Sequence, residues 1–206
     1  MKICIFGAGG FAKEVYYLAR QCGYWVDSFI DINTGGYCCG IQVQTENFFD
    51  PSKHKAVVAV GNPQLRKKIV NQIIDRHGNG VFATLVAPSA NLMDPKITVG
   101  YGSIICANCI LTCDIILGNF SQLNLSTTIG HDVKTGDFFT TAPGVHISGH
   151  LTANDLVYFG TNASVVEDIN ICSDVTIGAG ACVAKDIAEG GTYVGVPAKK
   201  MEKKNG

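Results

Sequence analysis

From Val99 onward the chain returns to a core-type residue at every sixth position: Val99, Ile105, Leu111, Leu117, Leu123, Ile129, Thr135, Thr141, Ile147, Ala153, Phe159, Val165, Ile171, Ile177 and Val183. The phase never slips over these fifteen positions, and twelve of them are Val, Ile, Leu or Phe. Glycine follows at 100, 118, 130, 136, 160 and 178, and the residue four places after each repeat start is small or apolar throughout. Six residues make one short strand and a turn, and three such units make a triangular coil of eighteen. Stacked coils pair their backbones while the aliphatic residue points at the axis. The period therefore predicts a left-handed parallel β-helix about five coils long. A β-sandwich would need alternation of period two and hairpin turns such as Asn-Gly, and neither recurs.

The first ninety residues follow another rule. Lys2 to Phe6 is an apolar run that stops at Gly7-Ala8-Gly9-Gly10, and Phe11 to Cys22 then carries a helical pattern closed by Gly23. Trp25 to Ile30, ending at Asp31, reads as a second strand, and Ala56 to Val60 as a third. Gly61-Asn62-Pro63 stops that strand before a helix from about Gln64 to Arg76, and Val81 to Leu85 supplies a fourth strand. Alternating strands and helices imply a Rossmann-like parallel sheet with helices on its faces and ligands beyond the carboxyl ends of the strands. Two domains are expected, residues 1–88 and 89–206.

In that first domain, backbone N–H groups at Gly9 and Gly10 and the helix entry at Phe11 can approach a phosphate, and Asp31 can accept from a ribose or sugar hydroxyl. A glycine loop of this kind also serves simple helix entry, and the residues alone leave both readings open. Four strands are about half of a full dinucleotide fold, so a mononucleotide or nucleotide-sugar fits better than NAD.

Composition closes off other classes. Apolar residues make up 47% of the chain and charged residues 16%, which excludes disorder. A formal net charge of −1 gives no footprint for nucleic acid. No run approaches the roughly 20 apolar residues of a membrane span, and the start has no secretory pattern, so a cytoplasmic location is expected. The nine cysteines are expected to be reduced thiols. Cys106, Cys109 and Cys113, without a second, paired Cys-x-x-Cys or a nearby histidine, read as core filler, and no metal is expected.

The repeat also places chemistry. His131 sits two residues after Ile129, at an outward-pointing corner, and Gly149 lies one coil of eighteen later on the same corner. Neighbouring coils are about 4.8 Å apart, so the Gly149 backbone lies close to His131 with no side chain between. An imidazole is suited to accept a proton near neutral pH, and Asp132 can fix its tautomer. An exposed or subunit-interface histidine would occupy the same position, and the residues alone do not separate the two. Thr161 and Ala179 are also eighteen apart, so these two small residues stack on one corner. Lys199 and Lys200 suit either phosphates or a solvated tail.

Taken together, IFGAGGFAKEV at the start, FID around Asp31, VGNPQLRKK at 60–68, IGHD at 129–132 and TYVGVPAKKM at 192–201 resemble the NeuD-like (sialic acid O-acetyltransferase-like) sugar acyltransferase family of the hexapeptide-repeat class. Within it, bacterial nucleotide-aminosugar N-acetyltransferases look closest. The resemblance spans essentially the whole chain. It implies transfer of acetyl from acetyl-CoA to the amino group of a UDP- or GDP-linked sugar, in a homotrimer with active sites between neighbouring helices. It makes His131 the general base and Asp132 its acidic neighbour. It puts Gly149, Thr161 and Ala179 near acetyl-CoA, with Thr140 on the same side where compared members carry histidine. Gly9, Gly10, Phe11, Asp31, Gly61 and Asn62 would surround the nucleotide. Compared members also carry Glu at Asp132 and a second acidic residue at Ile32. O-acetylation of a sugar or sialic acid, and a non-catalytic trimeric scaffold that binds a nucleotide-sugar, are the competing readings. Phe138, Phe139 and Tyr158 are expected at the trimer contacts.

Overall fold

Residues 1–202 are described by the computed structural model, and the chain divides into two compact units: residues 1–88 with 101–103, and residues 89–100 with 104 onward. In the first unit, β1 (Lys2–Phe6), β2 (Trp25–Ile30), β4 (Ile41–Gln44) and β5 (His54–Val58) run parallel. The two-residue strand β3 (Tyr37–Cys38) pairs antiparallel with β4 at one edge, giving the order β3-β4-β2-β1-β5. Ile3, Cys4 and Ile5 of the interior strand β1 have no exposed surface, as expected of a parallel sheet buried on both faces.

Helix α1 (Gly10–Gln21) buries Ala12, Val15, Leu18 and Ala19, the stripe that spacings of three and four residues generate. Helix α2 (Pro63–His77) begins with proline at its first position, where the missing N–H costs nothing. The Asn62 side chain accepts from Leu65 N, and the helix ends at Gly78 with φ 77°. The fourth parallel strand is β4 and not residues 81–85. Phe82 makes only an isolated parallel bridge to Ala56, and Asn79–Val81 form a 3-10 turn. Ile41–Gln44 escapes a reading by apolar runs because it alternates with glutamine over four residues and starts directly after a turn at Gly40.

The second unit is a left-handed parallel β-helix. From Thr98 to Val183 its short strands pair in register at offsets of eighteen, as in Ile110, Thr128, His146, Ser164 and Cys182, while the first coil pairs at nineteen, Asn91 with Ile110. A first face carries strands such as Gln122–Leu123 and Thr140–Thr141, a second Thr128–Ile129 and His146–Ile147, and a third Lys134–Thr135 and Thr152–Ala153. Every repeat position from Ile105 to Val183 is buried. The two buried threonines among them are satisfied internally: Thr141 Oγ1 meets Thr127 Oγ1 at 2.8 Å, and Thr135 Oγ1 accepts from Gly118 N at 3.1 Å.

Each corner turns through one left-handed residue. From Gly102 to Gly180, one residue in every six has φ between 53° and 69°, including Asp114, Phe120, Asp132, Phe138, His150, Leu156 and Asp168. Such backbone costs roughly 1–2 kcal/mol for most residues and is tolerated best by Gly, Asn and Asp. Where bulky residues take it, packing compensates: the rings of Phe120 and Phe138 stack with centroids 5.2 Å apart, and both side chains are buried. Phe138 and Phe139 therefore do not offer the exposed contacts expected of them. Phe139 faces the interior with no exposed surface, and Tyr158 is half-buried. No helix among the described residues is long and apolar enough to cross a membrane.

Candidate active site

His131 and Asp132 form the corner between the second and third faces of the β-helix. The corner is fastened to the coils on either side, since Asp132 N donates to Cys113 O at 3.2 Å and His150 N donates to His131 O at 3.0 Å. His131 Nδ1 lies 2.9 Å from Asp132 Oδ2. A carboxylate only accepts, so Nδ1 carries the proton and Nε2 is left with a free lone pair. Both side chains are about half exposed, at 50% and 47%.

Gly149 packs against this imidazole. A Cβ added at Gly149 would fall 2.6 Å from His131 Cε1 and 2.9 Å from Nε2, so no larger residue fits without moving the ring. Gly149 is itself buried, and among the described residues its N–H has no hydrogen-bond acceptor. Beside the dyad, a cavity of about 350 Å³ opens on the third face between Lys96, Asp114, Ile116, Asp132 and Lys134. The corner thus presents a carboxylate-oriented imidazole packed against bare backbone, an arrangement suited to proton removal.

Thr161 and Ala179 lie elsewhere, on the corner between the first and second faces. Both are exposed, and Gly180 N donates to Thr161 O at 2.8 Å, so the two stack on successive coils. Gly160 keeps that edge slim, because a Cβ there would lie 2.6 Å from Ala179 N. Thr140 is brought to neither corner. It is buried on the first face, where its hydroxyl donates to Phe138 O at 2.9 Å. Lys200 is ion-paired with Glu189, 2.5 Å away.

The first unit contains a cavity of about 660 Å³ beyond the carboxyl ends of β1 and β2, lined in part by Gly7, Asp31, Thr45, Glu46, Lys68 and Gln72. Asp31 organises its rim: Oδ2 accepts from Ala8 N and Oδ1 from Asn33 N, both at 3.0 Å. Gly7 is required by the backbone, with φ 109° and an added Cβ only 3.0 Å from Ala59 O. Gly9, Gly10 and Gly61 differ, since a Cβ at any of them would meet nothing within 4 Å. Protein sterics do not demand glycine there, which leaves room for something else to approach. Helix α1 has no side-chain cap and no acidic residue in its first turn, so its terminal N–H groups, next to Phe11, keep their attraction for an anion.

Of the six candidates for this region, Asp31 lines the cavity, whereas Gly9, Gly10, Phe11, Gly61 and Asn62 are not among its lining residues. Asn62 already spends its carboxamide oxygen on capping α2. The Gly61 turn is held from behind by Arg66, whose guanidinium donates to Val60 O at 2.8 Å and Gly61 O at 3.3 Å. Burial pushes the Arg66 pKa down to about 9. Sequence reasoning passed over Lys68 and Gln72, although Leu65, Lys68 and Gln72 follow the helical period that puts one face of α2 on the cavity.

The cysteines are all free. Cys106 and Cys109 are buried, and Cys109 donates to Asn124 O at 3.2 Å, with burial pushing its thiol up to about 11.

Residues 2–73 match the model of the PglD N-terminal domain. GDP-perosamine N-acetyltransferase of Escherichia coli O157:H7 is 28% identical, the match covering 97% of this chain and 96% of that protein. The acetyltransferase domain of PglB from Neisseria gonorrhoeae superimposes with a TM-score of 0.89 at 31% identity, covering 97% of this chain and 99% of that one. A mutant of perosamine N-acetyltransferase from Caulobacter crescentus, solved with CoA and GDP-perosamine, superimposes with a TM-score of 0.90 at 25% identity over 98% of both chains.

Proposed function

This chain belongs to the NeuD-like sugar acyltransferase family of the hexapeptide-repeat class, and on that premise we propose that it is an acetyl-CoA-dependent N-acetyltransferase acting on a nucleotide-linked aminosugar. The observation that carries the proposal is the His131–Asp132 pair packed against the bare backbone of Gly149. The Caulobacter relative was solved with both CoA and GDP-perosamine, which supports the choice of thioester donor and of a nucleotide-sugar acceptor.

In this mechanism Asp132 accepts from His131 Nδ1–H, and Nε2 takes a proton from the sugar amine as its nitrogen attacks the thioester carbonyl. The C–N bond forms, the Gly149 N–H donates to the oxyanion, and the C–S bond then breaks to release CoA as thiolate, which is reprotonated. No acyl-enzyme is required. Thr161 and Ala179 are assigned to the pantetheine. The cavity bounded by Asp31, with the Gly9–Phe11 and Gly61–Asn62 turns, is assigned to the nucleotide, which gives residues 1–88 the role of acceptor binding and residues 89–206 that of acetyl transfer. The active form is a homotrimer in the cytoplasm. Ile110, Ile116 and Val166 support the assembly, each leaving more than two-fifths of its surface exposed, at 41%, 48% and 41%.

The deciding experiment follows release of the CoA thiol from acetyl-CoA with GDP-, UDP- and dTDP-linked aminosugars and the matching hydroxyl sugars. Turnover with an aminosugar nucleotide is expected. Turnover only with hydroxyl sugars would make the protein an O-acetyltransferase, and none with any acceptor would leave a binding scaffold.

A further inference from the structure

His150 lies eighteen residues after Asp132, so the two share a column on one corner, and both take left-handed backbone, with φ 57° and 58°. This stacking brings His150 Nε2 to 3.8 Å from Asp132 Oδ2, the same oxygen that His131 Nδ1 meets at 2.9 Å. The two imidazoles touch edge to face with centroids 5.0 Å apart. One ligand atom from each of the three residues lies within 4.8 Å of the others, and no other group of three His, Cys, Asp or Glu among the described residues meets that condition. Each side chain is about half exposed and open to an entering ion.

We propose that His131, Asp132 and His150 form a binding site for a borderline divalent transition-metal ion of the Zn²⁺ or Co²⁺ type, which acts as an inhibitor and not as a cofactor. A tetrahedral ion with bonds of about 2.0–2.1 Å holds its ligand atoms about 3.3 Å apart. The separations of 2.9 and 3.8 Å already bracket that value. A small rotation of the exposed His150 ring completes three ligands and leaves the fourth position to water. Two imidazoles and one carboxylate suit Zn²⁺ and Co²⁺, whereas Mg²⁺ and Ca²⁺ require oxygen shells.

The ion would bind His131 at Nδ1, where the proton shared with Asp132 now sits. A neutral imidazole metallated at Nδ1 carries its proton on Nε2, which then donates and no longer accepts. The nitrogen assigned to deprotonate the amine is thereby disabled. This inhibition rests on the acetyltransferase reading; the metal site does not.

Titration of the full chain with Co²⁺ is expected to show a single tight equivalent, with the visible absorption of cobalt in nitrogen and oxygen ligands and without thiolate charge-transfer bands. His150→Ala should weaken that binding at least about tenfold, leave metal-free turnover little changed, and abolish inhibition by Zn²⁺. Absence of a tight equivalent, a thiolate spectrum, or unchanged affinity in His150→Ala would overturn the site. If Co²⁺ binds as stated but no aminosugar nucleotide is acetylated, the metal site stands and the acetyltransferase reading falls.

Discussion

The imidazole of His131 rests on the backbone of Gly149 so closely that one methyl group there would fall 2.6 Å from Cε1. Gly149→Ala tests what that contact does. The ring is half exposed and can swing outward, so the fold should tolerate the substitution while the base is displaced. A shift of about 1 Å can cost on the order of 10²-fold in rate. We expect kcat to fall on that scale with the thermal midpoint little changed; unaltered kcat would show that the ring position is not critical.

His131→Ala removes the assigned base and should lower kcat by about 10²- to 10⁴-fold, with assembly and CoA binding retained. Asp132→Asn should cost less, because Asp132 orients the ring without receiving the substrate proton. Steady-state kinetics with CoA binding measured separately distinguishes a lost base from a lost fold. Near-normal turnover by His131→Ala would leave positioning alone as the source of rate.

Asp31→Ala should raise the acceptor KM and leave that for acetyl-CoA unchanged. Both carboxylate oxygens hold loop backbone, at Ala8 N and Asn33 N, so the substitution loosens the cavity rim as well as removing an acceptor. A change confined to acetyl-CoA would reverse the assignment.

Ala179→Tyr projects a large side chain from the exposed corner that Thr161 shares. It should raise the KM for acetyl-CoA without affecting the nucleotide. An unchanged constant would place the pantetheine elsewhere.

Gly118→Ala probes stability instead of chemistry. An added Cβ would overlap the Gly136 carbonyl and lie 2.7 Å from Asp137 N, all of it backbone that cannot rotate away. Overpacking of this kind costs about 1–3 kcal/mol. Denaturant unfolding should show that loss; a stability equal to the unsubstituted protein would mean that the coils separate easily.

The β-helix was legible because a six-residue period is incompatible with the alternation of two that a β-sandwich needs, and the same arithmetic stacks Gly149 against His131. It also contained the pairing of His150 with Asp132, which goes unnoticed when a histidine is judged only by its sequence neighbours. Phe138 misled for a physical reason: a bulky residue in left-handed backbone is costly, and only its stacking on Phe120 explains why it is there. Thr140 entered through resemblance and not through its own chemistry, and its hydroxyl is engaged with Phe138 O. In the first unit β1, β2 and both helices follow from apolar runs, glycine turns and caps. Strand β4 and the α2 face of the cavity do not, because their placement depends on which sheet edge they meet.

The offset of eighteen between paired strands makes the second unit a ruler with one graduation. Positions along a corner are separated by about 4.8 Å per coil, and no backbone distance between those marks is available. An extra residue inside a strand would turn its side chains to the opposite face, whereas one at a corner is absorbed, as between Leu92 and Thr98, where Asn91 pairs with Ile110 at an offset of nineteen. Insertion of a whole coil between His131 and Thr161 would move the pantetheine corner one full step away from the base while leaving each column intact. Any adaptation of this scaffold to a longer acyl donor is therefore quantised: it proceeds coil by coil, or by side chains and loops at the corners.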